Sequence, residues 1–370
     1  MRQLRVGIIG TGNIFARYVT GMRSLPGLEV AACADVNRDA ARARALELGI
    51  PRAASVDELI ADPAVDVIVN LTPPTAHEQV NLAVIAAGKH VFSEKPLATG
   101  VDGARKTIQA AEAAGVLLGC APEVFLGSAG QTARRAIDDG LIGEPIGATA
   151  FVEHTRIEEW HPVPGPFFSP GGGPALDMGP YPLSALVNCL GPVERVVAMS
   201  RIGSPVRSVT SVGRDRDEVD VTVATHDVGA LRFAGGAMAS VMLSFDAWPA
   251  TDGSRTLPWV EIYGTRGTLS LPNPDITDGD VRFRGPRDAG WQVLTPVLPT
   301  VGPAGLVWGG FRGLGIADLQ QALEGGSHRT SGRLALHLLE VELALTNAGP
   351  DGTIHVVENS CDRPDVVTRW

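Results

Sequence analysis

The sequence predicts a two-domain α/β protein. A chain of 370 residues is too long for one ordinary hydrophobic core, so two domains are expected. In residues 1–121 short apolar strands alternate with helical patterns, which predicts a parallel sheet flanked by helices. From Val193 onward strand patterns with tight-turn signals dominate, which predicts that residues 122–370 form an α+β domain with a large, mostly antiparallel open sheet.

The composition argues against several classes of protein. Apolar residues make up 44% and charged residues 19%, as in a globular protein. The net charge is −10 and no basic stripe is visible, which argues against nucleic acid as a partner. No signal-peptide pattern and no run of about 18 apolar residues is present, so we expect a cytoplasmic protein without a membrane partner. The four cysteines lie far apart without metal-ligand spacing, so no metal site is predicted.

The first strand is followed by a phosphate-binding signal. Leu4–Ile9 is an apolar run, and the residues GTGNIF (10–15) lead from it into a helical pattern that ends at about Ser24. Glycines in such a turn let the backbone approach a pyrophosphate, and the helix N-terminus supplies free N–H groups. Phe15 departs from the pattern, since a small residue there normally allows close helix packing. The predicted dinucleotide contacts are Gly10, Thr11, Gly12, Asn13 and Ile14.

The second strand ends in an acid that could select the cofactor. Leu28–Ala34 precedes Asp35, which lies 23 residues after Gly12, close to the spacing of about 20 for an acid on the adenosine ribose. The alternative is that Asp35 caps the helix predicted over Arg38–Leu48. A carboxylate here favours NAD(H), because it would repel the extra phosphate of NADP(H). Arg38 leaves NADP(H) open.

The alternation of strands and helices continues to residue 120. The predicted elements are helix Asp57–Ala61, strand Val65–Leu71, helix Ala76–Ala87, strand His90–Phe92, helix Ala98–Ala114 and strand Val116–Cys120. Ligands bind at the loops after the strands of an open parallel sheet. Thr72, Pro73 and Lys95 are therefore predicted to share a rim with Gly10–Ile14. His77 lies at the same rim, either as a cofactor contact or as a packing residue.

The pattern changes after residue 120. Helix Gln131–Asp139 and strand Gly147–Glu153 precede a long irregular stretch, His154–Gly173. Loops of this length in a compact domain are usually functional or disordered. Because it is rich in aromatic residues, we expect an ordered lid or pocket wall. Trp160 and His161 are candidates for substrate contact, with loop packing as the alternative.

A triple glycine opens the next predicted helix, which extends from Gly171 to about Leu190. Asp177 and Tyr181 are four residues apart and are predicted to lie on one helical face. The alternatives are that Asp177 complements the helix dipole and that Tyr181 is an ordinary amphipathic residue.

Strands dominate the remainder of the chain. The predicted strands are Val193–Arg201, Val219–His226, Gly229–Phe233, Met238–Phe245, Trp259–Tyr263, Thr268–Leu271 and Val281–Arg284. Turn signals occur at residues 226–227, 235–236 and 265–267. A glycine-rich run, Gly302–Gly315, is interpreted as a flexible loop near the site or the domain junction, and two helices follow at Gly315–Leu323 and Ser331–Ala348. An open sheet covered on one face leaves the other to bury, so a homo-oligomer is expected.

Four motifs in sequence order resemble those of one family. They are GIIGTGNI at Gly7–Ile14, TPPTAH at Thr72–His77, EKP at Glu94–Pro96 and GGGPALDMGPY at Gly171–Tyr181. Nearly the whole chain resembles the Gfo/Idh/MocA oxidoreductases, the glucose–fructose oxidoreductase and inositol dehydrogenase group. The resemblance implies an N-terminal Rossmann domain, a C-terminal α+β domain and homodimers or homotetramers formed through the open sheet. It also implies hydride transfer between NAD(P) and a secondary alcohol or ketone of a sugar, inositol or related cyclic polyol.

The resemblance assigns roles to individual residues. Lys95 matches the lysine of the EKP motif, and Asp177 matches the aspartate after the triple glycine. The family commonly has histidine four residues after that aspartate, whereas this chain has Tyr181, as in a subgroup with the run DMGPY. Whether Lys95 or Tyr181 transfers the proton is therefore open. The resemblance also favours a cis bond before Pro96.

The predicted chemistry requires a proton-transfer group, because hydride leaves a carbinol carbon only as its hydroxyl loses a proton. Lys95 is predicted to act as base or electrophile, with its pKa lowered by burial and by the nicotinamide charge. Lys95 would in turn lower the pKa of Tyr181. Asp177 would bind a substrate hydroxyl or orient Tyr181. Glu94 would pair with Lys95 or line the nicotinamide site.

Two other functions remain open at this stage. One is a hydrolase, lyase or epimerase that oxidises its substrate transiently with bound NAD and shows no net redox change. The other is a non-catalytic NAD-binding sensor, against which the retention of Lys95, Asp177 and Tyr181 argues.

Overall fold

Two large β-sheets organise the computed structural model, which describes residues 3–154, 156–211, 217–247, 259–299 and 312–370. Most of the predicted glycine-rich loop, Gly302–Gly315, lies outside these residues. In the part of the chain described, no helix is long and apolar enough to cross a membrane.

Parallel strands within residues 4–120 form the first sheet. They are β1 (Leu4–Ile9), β2 (Leu28–Ala34), β3 (Ala53–Ala54), β4 (Val67–Asn70), β5 (His90–Ser93) and β6 (Leu118–Cys120). Their spatial order is β3-β2-β1-β4-β5-β6, so the direction of winding changes between β1 and β4. A dinucleotide binds beyond the carboxyl ends of the strands at such a switch point. The predicted parallel sheet is confirmed.

Helices connect these strands and cover the sheet. They are α1 (Phe15–Arg23), α2 (Arg38–Leu48), α3 (Val56–Ala61), α4 (Pro74–Ala86) and α5 (Val101–Ala114). Local chemistry sets their ends. Asn37 caps α2 by accepting the N–H of Ala40, and Gly49 ends it in the left-handed conformation. Ser55 and Glu58 form a reciprocal capping box at α3.

The second sheet is mixed, with mostly antiparallel neighbours. Its strands are β7 (Pro145–Glu153), β8 (Val193–Arg201), β11 (His226–Phe233), β12 (Met238–Ser244), β13 (Val260–Gly264), β14 (Gly267–Leu271), β15 (Arg282–Arg284), β16 (Gln292–Val293) and β17 (Thr353–Val356), while β9 (Val206–Val209) and β10 (Asp217–Asp220) pair separately. The order is β16-β15-β14-β13-β7-β12-β11-β8-β17. Among the described strands of this sheet, only β7 and β12 pair in parallel, so the predicted, mostly antiparallel sheet is confirmed.

One predicted strand and one predicted turn in this sheet are wrong. The strand predicted over Val219–His226 is divided, because β10 ends at Asp220 and β11 begins at His226. The turn predicted at residues 226–227 lies inside β11, whose pairing with β8 and β12 begins at His226. Alternation of apolar residues does not reveal which polar pair is a turn, and here both residues extend the ladder.

The remaining helices pack on one face of the second sheet or return to the first. They are α6 (Ser128–Asp138), α7 (Ile157–Trp160), α8 (Pro174–Asp177), α9 (Pro180–Leu190), α10 (Leu314–Leu323) and α11 (Gly332–Thr346). Helix α10 contacts α1, β5 and β6, and α11 contacts both α5 and β8. The C-terminal part of the chain therefore returns to the first sheet and brings residues near position 312 to the same side as α1.

The other face of the second sheet carries a row of apolar side chains. On β8 the outward residues Val197 and Met199 are about half exposed, and on the neighbouring edge strand β17 Ile354 is 71% exposed. Met238 on β12 and Val356 on β17 are also exposed. Ile354 lies directly opposite Val197, and exposed apolar side chains that lie side by side form a patch of the kind that marks an interaction surface.

Candidate active site

Two glycines shape the turn after β1 for different reasons. Gly10 has a φ of +98°, and a Cβ there would lie 2.6 Å from the carbonyl oxygen of Leu71, so only glycine fits. Gly12 has no atom within 4 Å of the position its Cβ would take. The space beside Gly12 is therefore open to a ligand, as the close approach of a pyrophosphate requires.

Helix α1 begins directly after this turn without a side-chain cap at Ile14. The N-terminus of a helix and the positive end of its dipole suit an anion. Phe15, the departure from the glycine pattern, is fully buried, and the guanidinium of Arg44 lies 5.7 Å from its ring centroid. The aromatic ring fills the core below α1 and leaves the turn itself free to hold a dinucleotide.

Asp35 lies at the carboxyl end of β2 and holds the glycine turn. Its Oδ2 accepts hydrogen bonds from Thr11 N at 2.8 Å and from Thr11 Oγ1 at 3.0 Å. Its Oδ1 accepts the N–H of Asn37 at 2.9 Å. The alternative in which Asp35 caps α2 is wrong, because Asn37 is the cap. The carboxylate thus lies beside the turn and holds Thr11 in place.

The loop after β4 is held by buried polar side chains. Asn70 Oδ1 accepts the N–H of Thr72 at 3.1 Å and its hydroxyl at 2.7 Å. Pro73 immediately precedes α4. His77, only 1% exposed, has Nδ1 2.6 Å from the carbonyl oxygen of Pro96 and Nε2 2.6 Å from that of Thr72. His77 therefore ties this loop to the segment that contains Lys95.

The pKa of His77 is under opposing influences. Burial lowers it, while the two backbone carbonyls favour the protonated ring. Since both ring nitrogens face protein carbonyls, the contacts of His77 are with the backbone. His77 thereby stabilises the two segments of the rim that contain Thr72 and Lys95.

Lys95 follows β5 and reaches the second half of the chain. The predicted cis bond between Lys95 and Pro96 is confirmed. Its Nζ donates to the backbone oxygen of Asp177 at 2.5 Å and to Oδ1 at 2.8 Å. An ammonium has three N–H donors, so one is left to face a ligand.

The pKa of Lys95 differs from the prediction. Burial does lower it, but the carboxylate of Asp177, the phenol of Tyr181 and the carboxylate of Glu94 outweigh burial, so the net pKa is raised. The prediction that the pKa of Lys95 is lowered is therefore wrong for the protein without cofactor. The carboxylate beside the buried ammonium favours its charged form. Lys95 is a permanent cation at neutral pH.

Glu94 does not pair with the ammonium of Lys95 in the way predicted. Its Oε2 accepts the backbone N–H of Lys95 at 2.9 Å, and its Oε1 accepts the hydroxyl of Tyr18 at 2.7 Å. Tyr18 is fully buried, and burial together with Glu123 and Glu94 raises its pKa well above the usual value. The phenol therefore stays protonated and donates to Glu94. Glu94 contacts Lys95 through the backbone N–H of that residue.

The sequence predicts that Asp177 and Tyr181 lie in one helix, but the structure divides that helix in two. Helix α8 ends at Asp177, Met178 and Gly179 form a break, and α9 begins at Pro180. Both residues nevertheless face Lys95, whose Nζ lies 5.2 Å from the centroid of the Tyr181 ring. The break turns the carboxylate and the phenol towards one cation.

Tyr181 is only 8% exposed and has a second cation beside it. Arg312 Nη2 lies 3.3 Å from the phenolic oxygen and 2.7 Å from Asp275 Oδ1. Burial raises the pKa of Tyr181 to about 12, although Lys95 and Arg312 both lower it. The predicted influence of Lys95 has the expected sign but is smaller than the effect of burial.

Trp160 and His161 lie on the segment between β7 and α8. Trp160 is 53% exposed, with its ring edge-on to those of His154 and His161 at 5.5 Å. The Nδ1 of His161 accepts the N–H of Val163 at 3.0 Å. Burial lowers the pKa of His161, and the carboxylate of Asp177 opposes this effect. His161 is thus close enough to interact electrostatically with Asp177, whereas Trp160 lies at the outer edge.

Several residues of the site were not predicted from the sequence. Arg312 and Asp275 come from irregular segments, and Tyr18 comes from the buried face of α1. Glu123 is fully buried, and its Oε1 accepts the N–H of Gly313 at 2.6 Å. Burial raises the pKa of Glu123 to about 7. Arg312 lies within the glycine-rich run Gly302–Gly315, where a lone arginine carries no spacing signal, so only the fold brings it to Tyr181.

The features that fit a dinucleotide and the polar side chains beside them together indicate a class of protein. The switch-point sheet, the open glycine turn, the uncapped helix and Asp35 fit a dinucleotide, and a lysine with an acid and a phenol lies on the adjoining rim. In the residues described, no group of three or more His, Cys, Asp or Glu is placed to hold a metal ion. The fold and site are those of an NAD-binding Rossmann oxidoreductase.

Comparison with known families agrees with this class. Residues 4–121 match the model of the oxidoreductase family with an NAD-binding Rossmann fold, and residues 131–270 match the Gfo/Idh/MocA C-terminal domain. The chain belongs to the Gfo/Idh/MocA oxidoreductase family. It is therefore an enzyme with an NAD-binding domain.

Individual relatives are named for sugar and inositol chemistry. The chain is 31% identical over 361 residues to 1,5-anhydro-D-fructose reductase of Ensifer adhaerens, covering 96% of this chain and 98% of the relative. It is 47% identical over 115 residues to inositol 2-dehydrogenase of Cereibacter sphaeroides, covering 30% and 34% of the two chains. A structure of levoglucosan dehydrogenase with NADH and L-sorbose superposes with a TM-score of 0.83 at 21% identity, over 96% of this chain and 99% of that one.

Proposed function

We propose that the protein transfers a hydride between NAD(H) and a secondary alcohol or ketone of a sugar, inositol or related cyclic polyol. The observation that carries the proposal is the group formed by Lys95, Asp177 and Tyr181 on the rim that adjoins the glycine turn. A cation and a phenol that face one space can bind and protonate the oxygen of a carbonyl while its carbon is reduced. The names of the relatives support a substrate of the sugar or polyol class.

Each residue has a distinct part in this proposal. Bound NAD(H) would accept or supply the hydride. Lys95 would use its remaining N–H to polarise the substrate oxygen, because Asp177 keeps it charged. Tyr181 would donate the proton in reduction and accept it in oxidation. Asp177 would hold Lys95, and His161 and Trp160 would contact the part of the substrate that lies away from the cofactor.

The turn after β1 would bind the cofactor. Gly10, Thr11, Gly12, Asn13 and Ile14 would surround the pyrophosphate, and Thr72, Pro73 and Glu94 would line the nicotinamide side. Asp35 would bind the adenosine ribose and favour NAD(H) over NADP(H). Replacing Asp35 with serine should then improve the use of NADP(H) relative to NAD(H); an unchanged ratio of kcat/KM values would exclude the ribose role.

Substrate and reaction class can be tested together. We would assay inositols, levoglucosan and 1,5-anhydro-D-fructose with NAD(H) and NADP(H), following absorbance at 340 nm. The proposal requires a net, stoichiometric change in NADH with at least one of these compounds. Turnover of a substrate without any change in NADH, by an enzyme that retains its cofactor, would instead indicate a hydrolase, lyase or epimerase with transient oxidation.

Assembly and location complete the proposal. The exposed apolar residues on β8, β12 and β17 support a homodimer or homotetramer formed through the second sheet. We also propose a domain division after residue 121, a cytoplasmic location and membership of the DMGPY subgroup. Limited proteolysis and light scattering would test the division and the assembly.

A further inference from the structure

Arg312 contacts Tyr181 in two ways, by a hydrogen bond to the phenolic oxygen and by the position of its guanidinium near the ring. Its Nη2 is 3.3 Å from the phenolic oxygen, and the centre of the guanidinium is 5.6 Å from the ring centroid. A guanidinium has only N–H donors and does not lose its proton in proteins. The oxygen of Tyr181 must therefore accept this hydrogen bond. Its own proton must point elsewhere, and among the described residues it has no protein acceptor.

The position of Arg312 is built by the surrounding protein. The side chain is 3% exposed and pairs with Asp275 at 2.7 Å. The next residue, Gly313, donates its N–H to the buried carboxylate of Glu123 at 2.6 Å. On α1, Gly21 lets the backbone pass so closely that a Cβ there would lie 1.5 Å from the carbonyl oxygen of Arg312. Three separate elements thus hold this arginine against Tyr181.

Four charged groups act on the phenol of Tyr181, and they are not equivalent. The two cations Lys95 and Arg312 favour the phenolate, whereas Asp275 and Glu94 oppose it. Lys95 faces the ring and donates two of its N–H groups to Asp177. Arg312 is hydrogen-bonded to the phenolic oxygen itself. Arg312 is therefore the cation that contacts the oxygen on which a phenolate would carry its charge.

We propose that Arg312 is a positioning residue that directs the Tyr181 proton to the substrate oxygen and stabilises the phenolate left behind. The inference rests on the proposed function. In reduction, the carbonyl carbon gains the hydride, the π pair of the C=O bond moves to oxygen, and that oxygen takes the proton as the Tyr181 O–H bond breaks. The phenolate then regains a proton from water. In oxidation the same steps run in reverse.

The kinetic test compares three variants. Arg312→Met removes every donor, Arg312→Lys keeps a cation, and Arg329→Met is the control. Arg329 is likewise buried and likewise paired with an aspartate, Asp318, at 2.7 Å. In Arg312→Met we expect kcat to fall about 10²-fold with KM and NADH affinity nearly unchanged. Because Tyr181 must be deprotonated to accept the proton in oxidation, the rise of kcat with pH should move to higher pH. Arg312→Lys should recover part of both effects, and Arg329→Met should change neither.

A second readout does not depend on activity. The chain has three tyrosines, so NMR of protein labelled with ¹³C at the hydroxyl-bearing ring carbon gives three signals, and Tyr181→Phe assigns the one of interest. We expect Arg312→Met to shift the Tyr181 signal and Arg329→Met to leave it in place. If no sugar or polyol is turned over, the proposed function fails, while this signal still decides the role of Arg312. An unchanged Tyr181 signal in Arg312→Met, an unchanged pH profile, or an equal effect of Arg329→Met would overturn the inference.

Discussion

Lys95 is held in its charged form by the residue that it contacts most closely. Burial alone would lower its pKa, but Asp177, which lies 2.8 Å away, together with Tyr181 and Glu94 outweighs burial. A cation that stays charged is better suited to polarise a carbonyl than to remove a proton. The proposed reaction therefore uses Lys95 as the electrophile and Tyr181 as the group that transfers the proton.

The pairing of Lys95 and Asp177 makes a prediction about pH. In Asp177→Asn the main group that raises the pKa of Lys95 is lost, so that pKa should fall. The variant should lose activity at a lower alkaline pH than the wild type does, and kcat at neutral pH should fall about 10²-fold. The kcat–pH profile measures both effects. Asp139→Asn, which affects an exposed pair with Arg135, serves as the control and should match the wild type. An alkaline limb at the wild-type position would contradict the electrophile role.

At the scale of elements, the turn between β1 and α1 contains one glycine that the fold requires and another that leaves space for a ligand. Gly10 is pressed against the backbone at Leu71 in a conformation that favours glycine, whereas Gly12 faces open space. The two glycines look alike in the sequence motif. Their environments differ because one turns the chain and the other leaves room for the ligand.

Alanine substitutions at the two positions should therefore affect different properties, NADH binding at Gly12 and stability at Gly10. Gly12→Ala should unfold at the wild-type temperature but bind NADH at least about 10-fold more weakly, because the methyl group occupies the ligand space. Gly10→Ala should lower the unfolding temperature, since a Cβ would meet the Leu71 carbonyl at 2.6 Å. Thermal unfolding and NADH fluorescence titration measure the two effects. Normal NADH affinity in a folded Gly12→Ala protein would exclude a pyrophosphate at this turn.

The elements also show where sequence patterns fail. The strands Leu4–Ile9 and Leu28–Ala34 were predicted to the residue, because buried parallel strands are continuous apolar runs. The break between α8 and α9 was missed, since Gly179 and Pro180 are both compatible with a helix start inside a longer apolar pattern. A Cβ at Gly179 would lie 2.2 Å from the carbonyl oxygen of Ala175, which is a tertiary requirement that periodicity does not contain.

At the scale of the whole molecule, the site combines local and distant parts of the chain. Lys95, Asp177 and Tyr181 could be predicted because they lie in motifs. Arg312 could not, because its place depends on the return of α10 to the first sheet, where it contacts α1 and β5. The same return places Gly313 on Glu123. Contacts between residues almost two hundred positions apart are set by packing and have no local signature.

Buried acids make the stability of the molecule depend on pH. The folded state raises the pKa of Glu123 from 4.5 to about 7, so between these values the folded state binds more protons than the unfolded state. Stability should therefore fall as pH rises from about 4.5 to 7, by about 3 kcal/mol for this group. Glu123→Gln should flatten the dependence in this range. Urea unfolding at several pH values measures it, with Glu112→Gln, an exposed acid, as the control. An equal slope in Glu123→Gln and the wild type would contradict this origin.

The apolar row on the second sheet predicts how copies of the chain associate. Met199 on β8 and Ile354 on β17 are exposed on the face that lies away from the helices, and burial of apolar surface favours association through it. Met199→Glu together with Ile354→Glu should shift the protein to a monomer, because two like charges without partners are costly to bury in a sheet-to-sheet interface. Light scattering after size exclusion measures the mass. Leu46→Lys, which changes an exposed residue of α2, should leave the assembly intact. A wild-type monomer, or an oligomer unaffected by the double substitution, would show that this face is not the interface.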